Sequence, residues 1–255
     1  MTNSLQDGLL LAVDGGASFE YAERVAASTG ARMAADDGLE AYDGLMLRLG
    51  AGGLSLEHGG MVLRGDFSDM LPRLRPANLA RELLVRAAKV KGVASPVVAD
   101  ATAGLGQDSL LLAAAGCTVV MYESDAVIAA LLRDALERAA GDGRLASIVA
   151  RMTLVEGDSI SALPHLAPAP DVVYLDPMFP ERTKSAAVKK KFQLLHHLER
   201  PCSNQEELLR AALAVYPRKV VVKRPVKGPY LADVKPSSSL SGKAVRYDCI
   251  VPPRP

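Results

Sequence analysis

From residue 97 to residue 224 the chain repeats one pattern, and that pattern narrows the fold more than any other feature. Short apolar runs occur at VVADA from Val97, TVVMY over 118–122, 152–156, 171–175 and KVVVKR over 219–224. They are rich in valine and lack the polar alternation of a strand with one wet face. Stretches with helical spacing lie between them, at 107–115, 126–140, 159–164 and 204–215. Strands without a polar face must be covered on both sides, and strands separated by helices are joined by crossovers. The pattern therefore predicts an α/β fold whose mostly parallel sheet carries helices on each face. Segments around 230–234 and 245–251 are expected to add an antiparallel edge.

The first 70 residues read differently. A strand is predicted over 8–15 and a helix over 18–29, with Ser18 as N-cap and Gly30 as its stop. Hairpin strands are predicted at 44–49, 54–58 and 61–64, separated by glycine-rich turns. The expectation is a small α+β N-terminal domain, 1–70, followed by a larger domain over 71–255. Residues 70–92 predict a helix or two, with Pro76 near a start. Arg73, Arg75, Arg81 and Arg86 lie along that stretch, followed by Lys89 and Lys91.

With 255 residues and 49% hydrophobic content the chain can bury a substantial core. A formal net charge of +1 neither demands nor excludes a nucleic-acid partner. The three cysteines, Cys117, Cys202 and Cys249, form no CxxC pair, so free thiols are expected and no metal site is. The N-terminus lacks a basic segment ahead of its short apolar run, and no apolar stretch is long enough to span a bilayer. A cytoplasmic protein without a membrane partner is the expectation.

Two motifs sit where strands should end. The first is residues 100–106 (DATAGLG), a strand, a glycine turn and a helix start. Gly104 and Gly106 allow positive φ and close approach of backbone to a ligand. A dinucleotide fingerprint needs a third glycine or alanine, and Ser109 stands there instead. Asp100 would repel a diphosphate and attract a methionine amino group. The D-x-x-x-G-x-G pattern resembles that of class I S-adenosylmethionine-dependent methyltransferases. Glu123, at the end of the second strand, is placed to accept both ribose hydroxyls. Asp158 is placed to accept from the adenine amino group with Ser159 beside it, and both also suit a helix N-cap.

The second motif is Asp176, Pro177, Met178 and Phe179, which close the run DVVYLDPMF. It resembles the (Asp/Asn)-Pro-Pro-(Tyr/Phe) motif of enzymes that methylate planar exocyclic amines, with Met178 in place of the second proline. Asp176 and the Pro177 carbonyl can each accept an amine N–H, and Phe179 can stack on the base, a contact worth ~1–3 kcal/mol. The nitrogen lone pair is then released from the ring towards the methyl donor. Twelve Lys/Arg against four Glu over 181–228 leave that region strongly basic. It starts beside the acceptor motif, so Lys184, Lys189, Lys190, Lys191, Lys223 and Arg224 are expected to contact RNA phosphates.

Together ADATAGLGQDS, VVYLDPMFP, SAAVKKK and VVVKRP resemble the RsmJ-type small-subunit ribosomal RNA guanine-N2 methyltransferases, over roughly residues 70–250. The resemblance implies a Rossmann-like class I methyltransferase domain, S-adenosylmethionine as donor, and a guanine of small-subunit ribosomal RNA, free or in the assembled subunit, as acceptor. It places donor contacts on Gln107 and Asp108, Glu123 and Ser124, Asp158 and Ser159, and Asp176. Gln107 and Ser124 each stand where the family more often has arginine. The readings set beside it are a related enzyme acting on DNA adenine or a protein glutamine, a non-catalytic RNA-binding assembly factor, and a nicotinamide dehydrogenase.

Overall fold

The polypeptide divides into two units in a computed structural model that describes residues 8–34, 42–177 and 204–253. The first unit holds the described residues up to Asp66 together with Asp125–Arg138, and the second holds the remainder.

In the first unit, strands β1 (Leu10–Val13), β2 (Arg32–Met33), β3 (Met46–Gly50), β4 (Gly53–His58) and β5 (Met61–Arg64) form a sheet in the order β2-β1-β3-β4-β5. β1 runs parallel to β2 and β3, and the β3–β4 and β4–β5 pairs are antiparallel hairpins. Helix α1 (Phe19–Thr29) has the expected ends. The Ser18 hydroxyl accepts from the Tyr21 amide at 3.3 Å, and Gly30 turns left-handed at φ 73°. Gly65 lies against residues 131 and 135: a Cβ there would meet the Leu131 carbonyl oxygen at 2.8 Å and the Ala135 methyl at 2.9 Å.

In the second unit the stretch expected as one or two helices is three short ones: α2 (Leu71–Leu74), α3 (Pro76–Leu79) and α4 (Leu83–Ala88). Pro76 forces the first break, because the residue before a proline avoids the helical region and Arg75 sits at ψ 136°. Then follow β6 (Val97–Asp100), α5 (Gln107–Ala114), β7 (Thr118–Glu123), α6 (Ala126–Ala140), α7 (Ala146–Val149), β8 (Met152–Glu156), α8 (Ser159–Ala162), β9 (Val172–Leu175), α9 (Gln205–Ala214), β10 (Lys219–Pro225), β11 (Ser238–Ser241) and β12 (Val245–Ile250). Most of α6, through Arg138, clusters with the first unit, whereas a boundary at residue 70 would assign all of it to the second.

The larger sheet has the order β11-β12-β10-β9-β6-β7-β8. β8, β7, β6, β9 and β10 are parallel; β12 is antiparallel to β10, and β11 to β12. The expected strand at 230–234 is instead a 3-10 turn, Leu231–Asp233, with Ala232 and Asp233 at positive φ. Leu231 is buried in the core with Leu208 and Leu209, an anchoring that outweighs extended pairing. The antiparallel edge is supplied by β11.

Strand direction alternates side chains between two faces. Val173, Leu175, Val220 and Val222 bury one face in a core completed by Leu208, Leu209 and Ala212 of α9. Tyr174 and Lys223 therefore project from the other face. Chain order reverses between β6 and its neighbours β7 and β9, and the ends of such strands form the crevice in which open α/β sheets bind ligands.

Candidate functional site

The glycine turn after β6 is built from its own carboxylate. Asp100 is 1% exposed, and its oxygens accept from the Thr102 amide at 3.1 Å and from the Ser109 hydroxyl at 2.6 Å. Burial is the largest influence on its acidity and pushes its pKa up to about 7, against the pull of these hydrogen bonds. Asp100 thus braces the loop from inside; its side chain does not line the open crevice. Gly104 and Gly106 take φ values of 53° and 75°, and Gly106 caps α5, which begins at Gln107. The Gly104 amide donates to the Glu123 carboxylate at 2.9 Å, so the loop is tied to the tip of β7. Ser124, the next residue, is exposed.

Beyond β8, Asp158 is the N-cap of α8, accepting from the amides of Ile160 and Ser161 at 3.0 and 3.2 Å and from the Ser161 hydroxyl at 2.6 Å. Ser159 is not the cap. It is buried, and its hydroxyl donates to the Ala101 carbonyl at 2.8 Å, stitching α8 to the end of β6.

The second motif meets the first directly. The Asp176 amide donates to the Thr102 hydroxyl at 2.7 Å. Its carboxylate, 36% exposed, pairs with the Lys223 ammonium at 2.8 Å. The same ammonium pairs with Asp108 in the first turn of α5, also at 2.8 Å. Asp108 accepts in addition from the Tyr174 hydroxyl at 2.7 Å. Pro177 is buried; Met178 and Phe179 lie outside the described residues. The strand ends thus bring Gly104, Asp108, Glu123 and Asp176 into one connected group, while Asp100 and Ser159 face inward.

Two of the expected RNA contacts are corrected. Lys223 is only a quarter exposed and is held by two carboxylates; these raise its pKa although burial alone would lower it. Arg224 is 1% exposed and donates twice to the Pro229 carbonyl, at 2.9 and 2.7 Å. Burial, then the neighbouring Arg246, lowers its pKa to about 10. Adjacent residues of a strand point to opposite faces, and here both faces are covered. Lys184, Lys189, Lys190 and Lys191 lie outside the described residues.

Sequence reasoning missed Thr102, Ser109 and Tyr174. The polar residue in the otherwise apolar VVYL strand was the available signal for Tyr174; nothing local marked the other two.

The residues fit an S-adenosylmethionine molecule. Among the described residues a Cβ beside Gly104 or Gly157 would meet nothing within 4 Å, so none of these residues fills the space against the backbone at the ends of β6 and β8. The side chains around it are carboxylates, matched to an ammonium, a sulfonium and ribose hydroxyls and unsuited to a diphosphate. Among the described residues no His, Cys, Asp or Glu group could hold a metal, and no helix is long and apolar enough to cross a membrane.

A family model described as "Putative SAM-dependent methyltransferase" matches residues 40–252. The chain is 49% identical over 176 residues to ribosomal RNA small subunit methyltransferase J of Thioalkalivibrio sulfidiphilus, covering 68% of this chain and 69% of that one. It is 42% identical over 236 residues to the protein of the same name from Pseudomonas aeruginosa, covering 90% and 89%. A crystal structure of a SAM-dependent methyltransferase from Neisseria gonorrhoeae superposes with a TM-score of 0.76 at 30% identity, covering 95% of each chain.

Proposed function

The chain belongs to the ribosomal RNA small subunit methyltransferase J family, with S-adenosylmethionine as cofactor, and on that premise we propose that it methylates the exocyclic N2 amine of a guanosine in small-subunit ribosomal RNA, in the cytoplasm. The observation that carries this reading is the Thr102–Asp176 hydrogen bond of 2.7 Å, which joins the glycine loop to the amine-binding motif at one strand junction.

In this reading Gly104, Gly106, Gln107 and Asp108 hold the methionine side of the donor, Glu123 and Ser124 its ribose, and Asp158 borders the adenine, while Ser159 holds α8 to the end of β6 from inside. The bound cofactor supplies a methyl group on a sulfonium, whose neutral thioether is a good leaving group. The protein's task is positioning. Asp176 and the Pro177 carbonyl accept hydrogen bonds from the amine's two hydrogens and orient its lone pair, and the Asp176 carboxylate receives the proton that the nitrogen sheds after transfer. Phe179 stacks on the base. The lysines at 184 and 189–191 supply phosphate contacts, reinforced by the exposed Arg75 and Arg81.

Small subunits lacking the modification, incubated with tritiated donor and the protein, are expected to gain label in RNase-sensitive material, and nucleoside mass analysis to identify N2-methylguanosine. Asp176→Ala is expected to abolish transfer while leaving the circular dichroism spectrum unchanged. Full activity in that variant, or DNase-sensitive label, overturns the reading.

A further inference from the structure

Lys223 links the two halves of the site through contacts that an RNA-binding lysine would not make. Its ammonium lies 2.8 Å from one oxygen of Asp108 on α5 and 2.8 Å from one oxygen of Asp176 after β9. Register explains the reach: Val222 pairs with Leu175, so the next residue of β10 lies beside the end of β9. We propose that Lys223 is a positioning residue for methyl transfer, which keeps Asp176 an ionised hydrogen-bond acceptor and locks it to the donor-side helix. The proposal rests on Asp176 being the carboxylate that takes the amine N–H.

The argument is electrostatic. Two carboxylates that share one small cation would, without it, oppose each other's ionisation, and the pair would take up a proton. A protonated Asp176 presents a donor where the amine needs an acceptor. The surroundings sharpen the demand for a cation. Among the described residues, Asp100 adds a third carboxyl to the same field, and the Tyr174 hydroxyl spends its proton on Asp108. Tyr247 of β12 faces Asp108, Lys223 and Asp176 with its phenol pushed up by burial and by the carboxylates. Arg73 acts on Asp108 but is committed to Glu82 through two 2.8 Å hydrogen bonds. Arg224 acts on Asp176 from the opposite face of β10 and donates to the Pro229 carbonyl. Lys223 is therefore the cation that contacts both carboxylates among these groups.

The test is the pH dependence of kcat for methyl transfer to small subunits at saturating donor, in the wild type, Lys223→Met and Lys223→Arg. The wild type is expected to be flat from neutral pH into mild acid. Lys223→Met is expected to lose about 100-fold at the acidic end, the scale of a misplaced reacting group. Its rate should recover as pH rises, because base restores the carboxylate. Lys223→Arg keeps the charge and should keep the flat profile. If Lys223→Met does not fold, Lys223→Gln takes its place against Lys223→Arg, and identical profiles in those two overturn the proposal. A Lys223→Met enzyme with unchanged kcat at every pH and a raised KM for RNA also overturns it, and returns the lysine to a phosphate-contact role. Carbon-13 titration of the Asp176 carboxyl needs no substrate: in the variant it should titrate at higher pH than in the wild type, and coincident curves defeat the proposal. An Asp176→Asn enzyme with full activity would instead defeat the assignment of Asp176 while leaving the titration result standing.

Discussion

At the residue scale the site separates carboxylates at the open strand ends from one that holds the loop together. Asp100 is sealed behind the glycine turn, and its pKa is raised from 3.8 to about 7. Across that window the folded chain holds a proton that the unfolded chain has released, so this residue makes stability fall as pH rises, with no further change above it. Asp100→Asn removes the titration. Its amide oxygen still accepts from the Thr102 amide, and the Ser109 hydroxyl can turn to accept from the new NH2 group. Comparing urea denaturation of the variant and the wild type at pH 4.5 and pH 8, the variant is expected to gain on the order of 2–4 kcal/mol relative to the wild type, set by the size of the shift. A difference between the two proteins that does not vary with pH would show that Asp100 ionises normally. The sequence placed this aspartate at the strand end correctly but could not show which way it points. The Ser109 hydroxyl and Thr102 amide that turn it inward are unremarkable residues of the same loop.

At the element scale, what was legible followed from period. Valine runs identified the parallel strands, the 3.6-residue spacing identified α1, α5, α6 and α9, and Ser18 and Gly30 marked the ends of α1 through local chemistry. Period failed where packing or long-range pairing decided the outcome. Residues 230–234 (YLADV) are mostly apolar and read as an edge strand, yet Leu231 is buried in the core with Leu208 and Leu209, and the backbone turns. Lys223 and Arg224 counted as two charges in a basic run, while the two carboxylates that claim Lys223 lie 115 and 47 residues upstream. No local window contains such a partner. In the first unit, Gly65 is a position where element packing leaves no room for a side chain. A methyl group there would stand 2.8 Å from the Leu131 carbonyl oxygen and 2.9 Å from the Ala135 methyl. Gly65→Ala is expected to cost about 1–3 kcal/mol, the range for forcing an extra carbon into a packed contact. Thermal denaturation by circular dichroism reads that loss, and an unchanged midpoint would mean that the helix yields freely.

At the scale of the whole molecule, the division into two units determines how cofactor binding should appear in unfolding. Every residue assigned to the donor, from Gly104 to Asp176, belongs to the second unit. A ligand that binds only the folded form stabilises what it binds, by about 2.7 kcal/mol at a hundred times its dissociation constant. For a unit of this size that corresponds to a rise of roughly 5–10 °C in the transition midpoint. Differential scanning calorimetry with and without saturating S-adenosylmethionine is expected to show this rise in the transition that includes the larger sheet. Where two transitions resolve, the one belonging to the first unit should stay in place. Glu123→Ala, which also releases the Gly104 amide from its 2.9 Å hydrogen bond, should lower the starting midpoint and shrink the ligand-induced rise together. If both transitions moved equally, the donor would be bound by residues of both units, and the assignment of its site to the strand ends of the larger sheet alone would fail.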